Sequence, residues 1–336
     1  MNPSLHYLAA IETEMRRAVT LEPGSPSLLQ GMLHYHLGWV DSRFQPAALD
    51  GGKRIRPVLV CLACESQGGD WETALPAAAA VELLHNFTLI HDDIEDRDEL
   101  RRGRPTLWAL YGVPQAINAG DTLYTLAYGA LLGLQRRGVP APAVLDALAA
   151  YTAAVVQITE GQCRDIAFES ESAVTEAEYL SMIAGKTAAL LGLCCSLGAI
   201  VAGAPPAVRN ALQRFGESLG LAFQMEDDLL GLWGDPRITG KPAGSDLLRG
   251  KKSLPILHGL QHSAELRAMV TQQSLTPDQV AEALRLLEES GSRAYVQAHA
   301  GAYHEAAMTA LAESGGQGEA QEALAVLAES LIGRAR

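Results

Sequence analysis

Basic residues are scarce in this chain. It has 26 lysines and arginines against 39 aspartates and glutamates, which gives a net charge of −13 over 336 residues. Because a nucleic-acid-binding face needs a surplus of lysine and arginine, this balance argues against nucleic acid as a partner. The scarcity also makes every cluster of basic residues more informative than usual.

Cysteine is scarce too. The chain has five cysteines, an odd number without regular spacing, which excludes a disulfide framework. Cys61 and Cys64 have the spacing of a redox or zinc pair, but no second pair or histidine cluster completes such a site. We interpret them as small residues of a buried helix. The first 17 residues carry charges and no apolar signal-peptide region, so we expect a cytoplasmic protein.

Strand signals, linkers and repeats are also lacking. No alternating segment is flanked by Asn-Gly or Asp-Gly turns, and no Pro/Ser/Gly-rich stretch separates two halves. Apolar residues instead recur with helical spacing over 55–66, 74–95, 115–136, 141–168, 176–202, 206–233, 277–291 and 294–313. Ser25-Pro26, Thr276-Pro277 and the capping box at 175–178 are helix start signals. The pattern predicts one all-α domain over residues 1–336, although this length alone would suggest two.

One uncharged run has nearly the length of a membrane span. Residues 187–204 contain 18 residues without a charge. They are rich in Ala, Gly, Cys and Ser rather than in Leu, Ile and Phe, Lys186 precedes them, and Pro205-Pro206 ends them. We interpret the run as a buried core helix, with a membrane span as the alternative.

Two acidic clusters stand far apart in the sequence, at 92–98 and at 226–228. Asp92 and Asp96 are four residues apart and share one face of a helix, where like charges repel. The apolar run before them disfavours a merely solvated helix end. Carboxylate oxygens are hard ligands that suit Mg²⁺, which usually binds through a few carboxylates and substrate phosphates. The clusters therefore predict a site for a diphosphate held by Mg²⁺.

Basic residues beside glycines accompany these clusters. The segments 51–57 (GGKRIRP) and 101–105 (RRGRP) combine glycine with arginine and lysine, which suits anion binding. Lys186-Thr187, Lys241 and Lys251-Lys252 complete the set. His85 lies two helical turns before Asp92, so it shares that acidic face.

The order and spacing of these motifs resemble the trans-isoprenyl diphosphate synthase (polyprenyl synthetase) family, from the GGKRIRP segment to Lys251-Lys252-Ser253. The resemblance covers nearly the whole chain. It implies the isoprenoid synthase fold, an all-α bundle of antiparallel helices around a central cavity, and usually a homodimer. It also implies the substrates isopentenyl diphosphate and an allylic diphosphate, Mg²⁺ as the cofactor, and no stable membrane insertion.

The resemblance further implies the site residues. Asp92, Asp96 and Asp227 would hold Mg²⁺ on the allylic diphosphate. The residues implied to contact that diphosphate are Arg101, Lys186, Thr187, Gln224, Lys241 and Lys251. Those implied for isopentenyl diphosphate are Lys53, Arg56, His85 and Arg102. Catalysis would fall to the three metal-binding aspartates with Arg101 and Lys186, through ionisation, condensation and elimination, without a Ser or Cys nucleophile.

The resemblance also implies that the residues preceding Asp92 set the product length. Phe87-Thr88 resembles the pattern of geranylgeranyl (C20) synthases, with Phe87 as the floor of the chain path. We therefore expect a C20 product, with a farnesyl (C15) product as the alternative. If the floor lies on a deeper helix, Phe87 is ordinary core.

One position departs from the family pattern. The second acidic motif of the family usually has a third aspartate, and here Gly231 stands at that place. This keeps open a non-catalytic partner subunit, against which the intact first motif speaks. A class I terpene cyclase would need an Asn/Asp–Ser/Thr–Glu metal triad on a later helix, and the residues after Asp228 do not supply it.

Overall fold

The computed structural model describes residues 5–21, 28–171, 173–235, 237, 242–270 and 275–332. Nearly all elements within these ranges are helices, and the all-α prediction is confirmed. The helices are α1 (Leu5–Val19), α2 (Leu28–His36), α3 (Ile55–Ser66), α4 (Leu75–Glu95), α5 (Leu107–Tyr111), α6 (Val113–Leu132), α7 (Ala141–Ser170), α8 (Glu176–Ile183), α9 (Ala189–Val201), α10 (Pro206–Trp233), α11 (Ser245–Leu248), α12 (Leu254–His262), α13 (Ala264–Val270), α14 (Pro277–Glu289), α15 (Ser292–Glu313) and α16 (Gly318–Ile332).

Four short elements complete the described part of the chain. A 3-10 turn (Gly133–Arg137) follows α6, and a π-helical segment (Ala184–Ala188) joins α8 to α9. Strands β1 (Leu100–Arg101) and β2 (Arg104–Pro105) pair antiparallel. The helix starts predicted at Thr175 and Thr276 are confirmed, because both threonines form complete capping boxes. The start predicted at Ser25-Pro26 lies outside the described residues.

Contacts group the chain into two compact units. Unit 1 comprises Met1–Ala150 and Cys194–Pro205, and unit 2 comprises Tyr151–Leu193 and Pro206–Arg336. The single domain expected from the sequence stays a prediction.

In unit 1, helix α4 packs against α6, α3 and α1. The first half of α4 contains four consecutive alanines, Ala77–Ala80, that are fully buried, and such small side chains let neighbouring helices approach closely. Glu82 on the same helix accepts a hydrogen bond from Arg54 Nη1 at 2.7 Å, and both side chains are buried. The second half of α4 carries His85, Phe87 and the first acidic cluster.

In unit 2, helices α10 and α15 pack along each other. Phe168, Tyr179, Met225 and Val296 belong to one buried cluster between the elements of this unit. Small residues again permit close packing, since a Cβ at Gly220 would lie 2.5 Å from the Cα of Ala188. This packing fixes the face of α10 that carries the second acidic cluster.

Two helical stretches are long and apolar enough to cross a membrane by length and composition alone, Ala141–Ser170 and Glu176–Val201. In the second, 78% of the most apolar window is buried within the protein, as is typical of a core helix. This burial agrees with our interpretation of the uncharged run. In the first, 33% is buried, and Leu145 and Val156 are exposed.

Candidate active site

The first acidic cluster lies at the C-terminal end of α4. The helix ends at Glu95, and the backbone N–H of Asp96 donates to the carbonyl of Asp92 at 2.8 Å, so the two carboxylates are one turn apart. The last turn has no basic residue. A helix C-terminus already carries partial negative charge, so two carboxylates there are stabilised by a bound cation.

Asp93, between these two residues, has a different role. It is buried, and Arg101 donates from Nε to its Oδ1 at 2.6 Å. Burial raises the pKa of Asp93 to about 6, and the charge of Arg101 opposes that rise. Asp93 therefore orients Arg101 on the hairpin, a function that the sequence did not reveal.

A cluster of basic side chains forms next to this hairpin. Gly52 has a φ of 98°, and the Arg102 guanidinium lies 2.6 Å from the position that a Cβ at residue 52 would take. The pKa of His85 is well below its usual value because of burial and the nearby charges of Arg56 and Arg102. Three of the four residues predicted for isopentenyl diphosphate thus lie close together, and Lys53 is exposed on the loop that follows Gly52.

His36, at the end of α2, faces the same cluster. It is buried, and its Nε2 has no hydrogen-bond partner among the described residues. Burial, reinforced by the charges of Arg101, Arg102 and Arg104, lowers the pKa of His36 to about 3. The imidazole is therefore neutral at pH 7.

His36 makes the stability of the protein dependent on pH. A histidine with a depressed folded-state pKa contributes stability that is present above its unfolded value near 6.5 and is lost as the pH falls toward the folded value. Between pH 6.5 and 4 this loss amounts to about 2–3 kcal/mol. We expect His36→Gln to flatten the decline of the free energy of unfolding over this range, measured by urea denaturation with pH 7 as the reference. Equal declines in both proteins would contradict the assignment.

Phe87 belongs to an aromatic cluster on α4 and α6. Its ring centroid lies 5.1 Å from that of Tyr124 and 4.7 Å from that of His91, and the hydroxyls of Tyr124 and Tyr128 are 3.3 Å apart. Gly120 makes room for the His91 ring, since a Cβ there would overlap it. Thr88, the other predicted length residue, donates from Oγ1 to the carbonyl of His85 at 2.8 Å. Aromatic neighbours on α4 and α6 thus pack against the ring of Phe87.

In unit 2, the π-helical segment carries Lys186 and Thr187. Such segments are uncommon and occur frequently at functional sites. Helix α7 crosses the segment closely, since a Cβ at Gly161 would lie 2.8 Å from the carbonyl carbon of Gly185. Lys186 Nζ bonds to the carboxylate of Asp165. Neither the π-helix nor the pairing with Asp165 was expected from the sequence.

A chain of hydrogen bonds connects this segment to the second acidic cluster. Thr187 donates to Gln224 Oε1 at 2.8 Å, and Gln224 donates to Asp228 Oδ1 at 3.2 Å. Asp228 also accepts from Tyr179 and from the backbone N–H of Leu254. Burial raises the pKa of Asp228 to about 7, while Tyr179 and Gln224 oppose the rise. The network fixes α10 next to the π-helical segment, one residue from the half-buried Asp227.

The remaining predicted residues are less closely tied to this network. Lys251 is exposed and its backbone N–H donates to the carbonyl of Asp246 at 3.0 Å. Lys241 lies outside the described residues.

The oxygen donors of the first acidic cluster suit Mg²⁺. No three His, Cys, Asp or Glu side chains within the described ranges form a ready-made metal group. Mg²⁺ does not require one, because it usually binds through one or two carboxylates and takes its other ligands from phosphates and water. Asp92 and Asp96, one turn apart at a negative helix end, fit that donor set.

Comparison with known proteins places the chain in a family. The polyprenyl synthetase model matches residues 38–287. The chain is 45% identical over 280 residues to the (2E,6E)-farnesyl diphosphate synthase of Mycobacterium bovis, covering 81% of this chain and 77% of that one. It is 43% identical over 291 residues to a geranylgeranyl diphosphate synthase of Mycobacterium tuberculosis, covering 85% and 82%.

A solved structure agrees with these relatives. A polyprenyl synthetase from Streptomyces coelicolor superposes with a TM-score of 0.88 at 36% identity, over 96% of this chain and 97% of that one. The prediction of a short-chain prenyl diphosphate synthase is thereby confirmed, while the relatives divide between C15 and C20 names. The chain therefore belongs to the polyprenyl synthetase family and is a prenyltransferase.

Proposed function

We propose that this protein condenses isopentenyl diphosphate with allylic diphosphates in a Mg²⁺-dependent reaction and releases geranylgeranyl diphosphate (C20). The observation that carries the proposal is a set of basic side chains, in which Arg102 lies against Gly52 and the charges of Arg56 and Arg102 act on the buried His85. This set makes an anion site in an acidic protein. The placement of Asp92 and Asp96 at a helix end supports the metal.

Each part of the site would perform one task. Mg²⁺ held by Asp92, Asp96 and Asp227 would neutralise charge on the allylic diphosphate as it leaves. Arg101, Lys186 and Lys251 would add fixed positive charge to that group, and Lys241 would join them. Thr187 and Gln224 would orient it by hydrogen bonds. Such fixed charge is usually the largest contribution to catalysis.

The second substrate would bind through Lys53, Arg56, His85 and Arg102. A neutral His85 offers one hydrogen-bond donor without adding to the repulsion among the arginines. The C–O bond of the allylic diphosphate breaks, and the double bond of isopentenyl diphosphate attacks the carbocation to form the new C–C bond. A proton then leaves the adjacent carbon, and the released diphosphate accepts it.

The first experiment is product analysis. Purified protein is incubated with isopentenyl diphosphate and each of the C5, C10 and C15 allylic diphosphates, with and without Mg²⁺, and the dephosphorylated alcohols are sized. We expect a C20 alcohol only with Mg²⁺. A C15 alcohol would support the proposed reaction but make farnesyl diphosphate its product, in line with the relative named a farnesyl diphosphate synthase. No product from any substrate would favour a partner subunit.

Phe87→Ala tests the floor of the chain path. Phe87 precedes Asp92 on α4, and its ring packs against that of Tyr124. Removing the Phe87 ring would open space below Asp92 for further C5 additions. We expect products longer than those of the unchanged protein, with C25 and above in the alcohol profile.

The matched control for that variant is Phe44→Ala. It removes another partly buried phenylalanine of unit 1, one that stacks on Tyr111 and lies outside the aromatic cluster. Its products should keep their length. An unchanged profile in Phe87→Ala would make Phe87 ordinary core.

We also propose a cytoplasmic homodimer. Exposed apolar side chains on α7, among them Leu145, Val156 and Ile166, are of the kind that pack against another chain.

A further inference from the structure

Gly231 occupies the position at which the second acidic motif of the family has its third aspartate. It lies one turn after Asp227 on the same face of α10. The space at Gly231 is filled by another carboxylate. A Cβ built there would lie 2.6 Å from Asp246 Cγ and 2.9 Å from its Oδ1, with Oδ2 nearer still. A carboxylate is thus already present where the side chain of an aspartate at position 231 would begin.

The segment that carries Asp246 is fixed to the end of α10. Ser245 is buried and donates from Oγ to the carbonyl of Gly231 at 3.1 Å. The backbone N–H of Gly244 donates to the carbonyl of Leu232 at 3.0 Å. These two bonds, to the carbonyls of Gly231 and Leu232, hold the segment with Asp246 in this register, and the absence of a side chain at Gly231 leaves room for the Asp246 carboxylate.

We infer that Asp246 supplies the third carboxylate of the second acidic motif, in place of the one that Gly231 lacks. The inference rests on the proposed function. In that role Asp246 and Asp227 would together hold the divalent cation of the diphosphate site. The departure at Gly231 is then a relocation of the carboxylate and not its loss, which speaks against a non-catalytic subunit.

Metal binding without turnover tests this role. The probe is Mn²⁺, titrated calorimetrically in the presence of inorganic diphosphate. Because inorganic diphosphate carries no prenyl group, no reaction takes place during the titration. We expect Asp246→Asn to weaken Mn²⁺ binding by about ten- to a hundredfold. Asp278→Asn, which removes a carboxylate from the first turn of α14 in the same unit, should bind as the unchanged protein does.

Moving the carboxylate back provides the decisive comparison. Gly231→Asp alone should melt at a lower temperature, because its side chain would collide with Asp246 and repel it. Gly231→Asp combined with Asp246→Ala should recover most of the Mn²⁺ affinity that Asp246→Ala loses. A merely structural role of Asp246 would show no such recovery.

Each result has one meaning. Undiminished Mn²⁺ binding by Asp246→Asn, or a double variant as weak as Asp246→Ala, overturns the role of Asp246 and leaves the proposed function standing. If the unchanged protein binds no Mn²⁺ with diphosphate and forms no prenyl product, the proposed function fails, and the inference fails with it. Thermal melting without metal shows that each compared variant is folded.

Discussion

Asp92→Asn should reduce product formation by roughly a hundred- to thousandfold, the usual cost of removing one group that stabilises transition-state charge. The change keeps the shape of the side chain and removes the negative charge that a cation on the allylic diphosphate requires. The measurement is the steady-state rate with isopentenyl diphosphate and the best allylic substrate, at saturating Mg²⁺. The rate should fall much more than the affinity for isopentenyl diphosphate, whose predicted residues do not include Asp92.

Glu99→Gln is the matched control, because it makes the same isosteric change at an exposed residue shortly after the motif. It should retain the rate of the unchanged protein. Equal rates in Asp92→Asn and Glu99→Gln would show that the first acidic cluster does not carry the chemistry. A melting temperature of Asp92→Asn well below that of the control would instead assign Asp92 to the fold.

Glu82→Ala should lower the free energy of unfolding by about 3–5 kcal/mol. The carboxylate and Arg54 form a pair in which the side chains are only 4% and 9% exposed, and Asn86 donates to the same carboxylate at 3.2 Å. Among the described residues, removing Glu82 leaves the buried guanidinium with the carbonyl of Leu37 at 3.4 Å and Glu12 at 3.6 Å. Urea denaturation of unchanged and variant protein measures the difference.

Glu12→Ala provides the control for that experiment. Glu12 also pairs with Arg54, but its side chain is 34% exposed, so its loss should cost less than about 1 kcal/mol. Replacing Arg54 and Glu82 together by leucine should recover most of the stability, since a buried ion pair exchanged for apolar residues is often neutral. Similar losses in Glu12→Ala and Glu82→Ala would contradict this account.

Sequence periodicity was sufficient for the helices that bury one continuous face. The ranges read for α3, α4, α10 and α14 match the structure within a few residues, since local spacing and capping determine them. Helix α1 was not predicted, although Ile11, Met15 and Val19 recur at helical spacing and are buried.

The residues that hold the site together could not be found in this way. Arg54 reads as a diphosphate donor within GGKRIRP, yet its partner Glu82 is 28 residues away in the sequence. The roles of Asp165 and Asp246 follow from the fold, which places Asp165 next to Lys186 and Asp246 next to Gly231. Such pairings depend on tertiary packing, which no local pattern records.

The π-helical segment also lies between a stretch of helix that carries site residues and one that is buried in the core. A π turn carries its hydrogen bonds from residue i to i+5 in place of i+4, so it accommodates an extra residue without ending the helix. The residues of α8 that follow the capping box at Thr175 are therefore out of helical phase with those of α9, which is buried on every side. Lys186 and Thr187 thus reach Asp165 and Gln224 from a helix whose next turns lie wholly in the core. The segment thus allows the core and the site to evolve at different rates along one continuous helix.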